Sequence, residues 1–206
     1  SQGEFVGLLL MRKYHALKKR NPSYIIIPET AHGTNPASVV LAGYKIKQIG
    51  TNHRGRVDVE ELKSLVDEDV AGFMLTQPNT LGLFEDEIEE ISKIIHNVDA
   101  LMYMDGANLN AMVGLARPGD MGFDITHLNL HKTFSTPHGG GGPGAGPIAI
   151  KKHLADFLPI PQLEKDQKNN YFWNYNKINS IGKVHPYYGN FGILIRAYSY
   201  LKMLGV

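Results

Sequence analysis

Three short runs most constrain the fold: Tyr24-Ile25-Ile26-Ile27, Gly72-Phe73-Met74-Leu75-Thr76 and Ala100-Leu101-Met102-Tyr103-Met104. Each is almost continuously apolar rather than alternating. That is the signature of a strand covered on both faces, as in a parallel sheet. Residues 44–49, 125–130 and 147–150 read as further strands. Helical patterns separate them, over 5–19, 36–42, 58–66 and 85–96, with a last one over 191–203. Ile88, Ile91, Ile94 and Ile95 mark one face of the fourth pattern. Asp58 is in place to cap the third, and Thr34 or Asn35 the second. Residues 159–175 carry little pattern and read as an excursion or mobile loop. Strands alternating with helices predict an α/β fold, a mainly parallel sheet with helices on both faces.

Composition narrows the function classes. The chain has 206 residues, enough for one sizeable α/β domain. Its 21 basic and 20 acidic residues nearly balance, and no dense basic run suggests nucleic acid. No stretch is long and apolar enough to span a membrane. The absence of cysteine excludes disulfides and thiolate metal sites and fits a reducing compartment. No basic region precedes an apolar stretch at the N-terminus, so no signal peptide is expected. The chain opens without Met and stops within a helical pattern, so it reads as a piece of a longer protein.

The chemistry concentrates at strand ends. The apolar-alternating run 125–130 leads into His131-Lys132, and His138 and Gly139-Gly140-Gly141-Gly142 follow closely. A lysine there, beside backbone that can approach a ligand, suits Schiff-base chemistry on a carbonyl, either of a substrate or of pyridoxal phosphate (PLP). Asp105 follows the third apolar run, with small residues Gly106 and Ala107 after it. His32 lies in the polar loop after the first run, where open α/β sheets bind ligands. Ser1 and Gln2 begin the first helix, whose free N–H groups suit a phosphate. Each signal alone has an ordinary reading, as a cap or a surface histidine. Together they meet the needs of PLP: an amine for the aldehyde, a carboxylate for the ring nitrogen, a flat group and a small one for the two ring faces, and a helix start for the phosphate.

Other readings fit less of the chain. His127 and His131, with His138, suggest a zinc hydrolase, but the residues between them alternate as a strand, no H-E-x-x-H occurs and Lys132 would have no role. Gly139-x-Gly141-x-x-Gly144 formally fits a dinucleotide fingerprint, yet Pro143 interrupts it and a strand follows. A non-catalytic binding fragment is a further alternative.

Residues 124–134 (DITHLNLHKTF), followed by 137–144 (PHGGGGPG), resemble the PLP-lysine segment of the glycine cleavage system P-protein family. Residues 1–4 (SQGE), 31–38 (AHGTNPAS) and 104–108 (MDGAN) also resemble segments of that family. Ser135-Thr136 stands where a Cys often occurs in relatives. The resemblance runs nearly end to end. It implies the PLP-dependent fold type I architecture, with residues 1–206 as a partial large domain of the PLP-bearing subunit 2. It implies decarboxylation of glycine and transfer of the aminomethyl group to the lipoyl arm of H-protein. Another fold type I decarboxylase or an aminotransferase is the nearest alternative. On this chain the resemblance implies Lys132 as the Schiff-base residue and His32 as the ring-stacking residue. It implies Asp105 at the ring nitrogen beside Ala107, and Ser1, Gln2 and His131 near the phosphate. Thr76 and Asn79 are further cofactor or substrate-pocket candidates. The implied partners are glycine, lipoylated H-protein, P-protein subunit 1 and further copies of the chain, in the cytoplasm. The fragment alone is expected to be inactive.

Overall fold

A computed structural model describes residues 2–184 and 188–205. Its main sheet has six strands: β1 (Tyr24–Pro28), β2 (Lys45–Ile49), β3 (Val70–Thr76), β4 (Leu101–Gly106), β5 (Ile125–Leu128) and β6 (Ile148–Ile150). Their order is β2-β1-β3-β4-β5-β6. The first five are parallel and β6 pairs antiparallel with β5. Helix α1 (Gln2–Leu17) precedes β1, while α2 (Thr34–Leu41), α3 (Val59–Leu65) and α4 (Ile88–Asn97) connect β1 through β4 in turn. The single turn α5 (Leu130–Thr133) follows β5, and α6 (Phe191–Leu204) comes last.

Period two along the strands sorts the core into two layers. Ile25, Ile27, Met74, Tyr103 and Ile125 pack with Leu10 and Met11 of α1 and Val39 of α2. Ile26, Phe73, Leu75, Met102 and Met104 pack with Leu62 of α3 and Ile88, Ile91 and Ile95 of α4. The expected helices on both faces are therefore present. Strand order reverses between β1 and β3, so their carboxyl ends flank the crevice in which such sheets bind ligands.

One local expectation holds in detail. Asp58 accepts from the backbone N–H groups of Glu60 and Glu61, both at 3.0 Å, and caps α3. Others need correction. The strand expected over 125–130 stops at Leu128, because the Asn129 carbonyl turns to accept from the amides of Lys132 and Thr133. Lys132 thus stands on a helical turn beyond the strand. Residues 159–175 are not patternless: β7 (Gln162–Lys165) and β8 (Tyr171–Asn174) form an antiparallel hairpin. Asp166 closes its turn by accepting from the amides of Lys168 and Asn170, both at 2.8 Å. Thr34 and Asn35 do not cap α2: both lie inside it, and Gly33 occupies the cap position without a side-chain bond.

His15, near the end of α1, gives a pH expectation. It is buried, and its Nε2–H donates to the Ala71 carbonyl at 2.8 Å. Burial lowers its pKa from 6.5 to about 4, partly opposed by that bond. The folded state therefore binds fewer protons than the unfolded state between these values. Stability contributed by neutral His15 is complete above pH 6.5 and declines towards pH 4, by roughly 3 kcal/mol in all. In the full-length protein, His15→Gln should lose less thermal midpoint between pH 7 and pH 5 than the parent. An equal loss would remove His15 from the acid response.

Candidate functional site

Asp105 is the centre of the site. It is the penultimate residue of β4, in register with Thr76 of β3 and His127 of β5. Alternation puts all three side chains on the sheet face covered by α1 and α2. The carboxylate is 2% exposed and has partners on both oxygens. Oδ1 accepts from the Ala107 amide and from His127 Nε2, both at 2.9 Å. Oδ2 accepts from Asn35 Nδ2 at 3.2 Å and from Thr76 Oγ1 at 3.4 Å. Burial alone would raise its pKa. The His127 bond and charge, with the Ala107 and Asn35 bonds, outweigh it and hold the carboxyl below the ordinary value.

This arrangement explains the missing caps of α2. Asn35 turns inward to Asp105, and the Thr34 hydroxyl donates to Glu4 Oε2 at 3.3 Å. Glu4 is buried in the first turn of α1, 3.9 Å from His127 Nε2. Its other oxygen, Oε1, and Asn35 Oδ1 are buried without a partner among the described residues. His32 is exposed just ahead of α2, and its Nδ1 accepts from the Thr34 amide at 3.2 Å.

The start of α1 faces the glycine-rich segment across a cavity of about 560 Å³ lined by Gln2, Glu4, His127, His131 and His138. The glycine run folds as a tight turn with positive φ at Gly139, Gly140 and Gly141, which other residues rarely adopt. Its far end passes so close to α1 that a side chain on Gly3 would overlap the Gly146 carbonyl. His131 stands edge-on to His138 with ring centroids 4.6 Å apart. Burial, then the charges of His138 and Lys132, lower the His131 pKa, so it is a neutral hydrogen-bonding group at neutral pH. A strand follows the glycine turn, not the helix a dinucleotide fingerprint requires. Among the described residues, no three His, Asp or Glu side chains converge as metal ligands.

Lys132 is exposed on α5, where Leu130 and Thr133 turn inward. Leu130 packs against Ile193 and Ala197 of α6, and Asn190 Nδ2 donates to the Gly144 carbonyl at 2.6 Å. Helix α6 thus backs both the lysine turn and the glycine segment. The structure brings Gln2 and His131 to one cavity, and Thr76, Asp105 and Ala107 to one hydrogen-bonded cluster. Lys132 and His32 lie outside that cavity's lining, in the segments that follow β5 and β1. Asn79 is engaged elsewhere: its Nδ2 donates to the Gly55 carbonyl and Glu85 Oε1, and its Oδ1 accepts from the Leu81 and Leu83 amides. Ser1 lies outside the described residues.

Sequence reasoning missed the roles of Glu4, Asn35 and Tyr103, and considered His127 only as a metal ligand. One signal was available: Tyr103, Asp105 and His127 are polar groups at alternating positions of adjacent apolar strands, hence on one face.

This parallel sheet, with its buried carboxylate and following lysine turn, has the architecture of the fold type I class of PLP enzymes. A crystal structure of inhibitor-bound glycine decarboxylase (P-protein) superposes with a TM-score of 0.73 at 20% identity, over 98% of this chain and 47% of that one. A cysteine desulfurase from Escherichia coli gives 0.65 at 16% identity, over 96% and 50%. The profile of the glycine cleavage system P-protein family matches residues 8–171, and the chain belongs to that family. A probable glycine dehydrogenase (decarboxylating) subunit 2 from Pyrococcus furiosus is 56% identical over the whole chain. Proteins of the same name from Pyrococcus horikoshii and Caldanaerobacter subterraneus are 55% and 53% identical. The chain spans 41–42% of the length of these relatives.

Proposed function

We propose that residues 1–206 are part of the PLP-binding large domain of a longer protein that decarboxylates glycine and passes the aminomethyl group to the lipoyl arm of H-protein. The observation that carries this reading is Asp105: a buried carboxylate held below its ordinary pKa, on the strand beside the one that leads to Lys132.

The residues fit the cofactor. The orphaned Glu4 Oε1 and Asn35 Oδ1 are buried polar atoms beside Asp105 and the start of α1, as expected of a site built to receive a polar ligand. Asp105 would hold the proton on the ring nitrogen, with Thr76 steadying it. Lys132 would anchor the aldehyde, and His32 would cover one ring face while Ala107 leaves room nearby. Ser1, Gln2 and His131 would hold the phosphate at the start of α1. When bound, PLP supplies an electron sink for the pair left behind as carbon dioxide departs.

The family and the names of its relatives support glycine as substrate and a subunit 1 as partner; lipoylated H-protein as acceptor and a cytoplasmic location complete the proposal. Exposed Phe191, Ile195 and Tyr198 on α6 and Tyr171 and Trp173 on β8 support burial of these faces in a larger assembly with further copies. Residues 1–206 alone should be inactive. The test is glycine-dependent exchange of labelled carbon dioxide by the full-length protein with subunit 1. Exchange should require lipoylated H-protein, which separates this function from other fold type I decarboxylases and from aminotransferases. No exchange in the complete system would overturn the proposal.

A further inference from the structure

We propose that His127 is a positioning residue for Asp105, held in place by Tyr103, and that it acts on the cofactor's ring nitrogen through that carboxylate. The inference rests on the functional reading above and extends it to residues that do not touch the ring.

The hydrogen bonds join α1, β4 and β5. Tyr103 is fully buried, and its hydroxyl donates to the Glu4 carbonyl at 2.9 Å. The same oxygen lies 3.2 Å from His127 Nδ1 and pairs with it. At its other nitrogen the ring donates from Nε2–H to Asp105 Oδ1 at 2.9 Å, so His127 is tied to Tyr103 on one side and to Asp105 on the other. The imidazole and the carboxylate, 4% and 2% exposed, are thereby buried side by side between β4 and β5. Glu4 from α1, together with Asp105 and Tyr103 from β4, are the titratable groups facing the ring.

The pair divides the work of the carboxylate. Its Oδ1 is committed to two short bonds, from His127 and Ala107. Its Oδ2 has only the longer bonds from Asn35 and Thr76. Oδ2 is therefore the oxygen left to accept a stronger donor, and a protonated ring nitrogen is one. Removing the imidazole would leave Asp105 buried without one of its two short donors and better able to take the shared proton from the ring.

The test uses the full-length protein with subunit 1, reconstituted with PLP labelled with nitrogen-15 at the ring. Cofactor affinity is measured by titrating the apoprotein, and ring protonation by the nitrogen chemical shift. His127→Gln keeps an amide donor towards Asp105 but loses the ring whose second nitrogen pairs with Tyr103. It should weaken cofactor binding by about tenfold to a hundredfold, the loss seen when the partner that orients a metal-ligating residue is removed. It should also move the nitrogen shift towards the unprotonated value. Tyr103→Phe, which keeps the ring and loses only the hydroxyl, should move it the same way by less. A wild-type shift in both variants would overturn the proposal. Failure of the unsubstituted protein to bind PLP would overturn the functional reading and this inference with it.

Discussion

Full-length protein carrying Lys132→Ala should show no visible cofactor absorbance and no glycine-dependent exchange. The loss should exceed the roughly 10²–10⁴-fold attributable to one proton-transfer group, because on the proposed reading the residue is also the covalent anchor. Its setting makes the experiment clean. Lys132 is exposed, and no salt bridge to it forms among the described residues. Leu130 and Thr133 hold the turn from the inside, and α6 backs it. Truncating Lys132 should therefore change stability by no more than about 0.5 kcal/mol, as for an ordinary surface position. Lys132→Arg sharpens the result. It keeps the positive charge but offers a guanidinium that stays protonated and cannot anchor an aldehyde. Both variants should fold, and neither should show the band. A band surviving in either would move the anchor to another lysine.

Legibility in the sequence followed burial. β1, β3 and β4 were readable because strands covered on both faces must be apolar throughout. The Asp58 cap was readable because it is local. The β7–β8 hairpin was not, since Tyr171, Phe172 and Trp173 are all exposed or nearly so and leave no alternation. The end of β5 depends on a single carbonyl, that of Asn129, which sequence pattern does not report.

The candidate site divides the same way. Lys132, Asp105 and the glycine run carry residue types that only a few chemistries need. Glu4 looks like an acidic residue placed for the dipole of α1, and Asn35 like a helix cap. Both are instead turned inward, Asn35 to Asp105 and Glu4 to within 3.9 Å of His127. That choice depends on which helix face meets the sheet, so it emerges only once β4, β5 and α1 are packed together.

Asp105→Asn should be the second most damaging substitution, reducing exchange by about 10²–10³-fold, the cost of removing one preorganised charge from a site. The amide is nearly isosteric, so the Ala107 and His127 bonds can still be accepted by its oxygen. What disappears is the negative charge beside His127, which on the proposed reading faces the ring nitrogen. Losing a buried carboxylate that accepts several hydrogen bonds weakens the network around it, so a lower thermal midpoint is also expected. The two effects separate by pH. Asp105 has a folded pKa below its ordinary value, so it contributes stability above the usual carboxylate range and loses it as pH falls through the lower folded value. The variant lacks that contribution at every pH. Its stability deficit should therefore shrink under acid, while its exchange deficit at neutral pH remains. Near-wild-type exchange in Asp105→Asn, with cofactor bound, would remove Asp105 from the ring nitrogen. A stability deficit that stays constant down to acid would show that its charge does not hold β4 and β5 together.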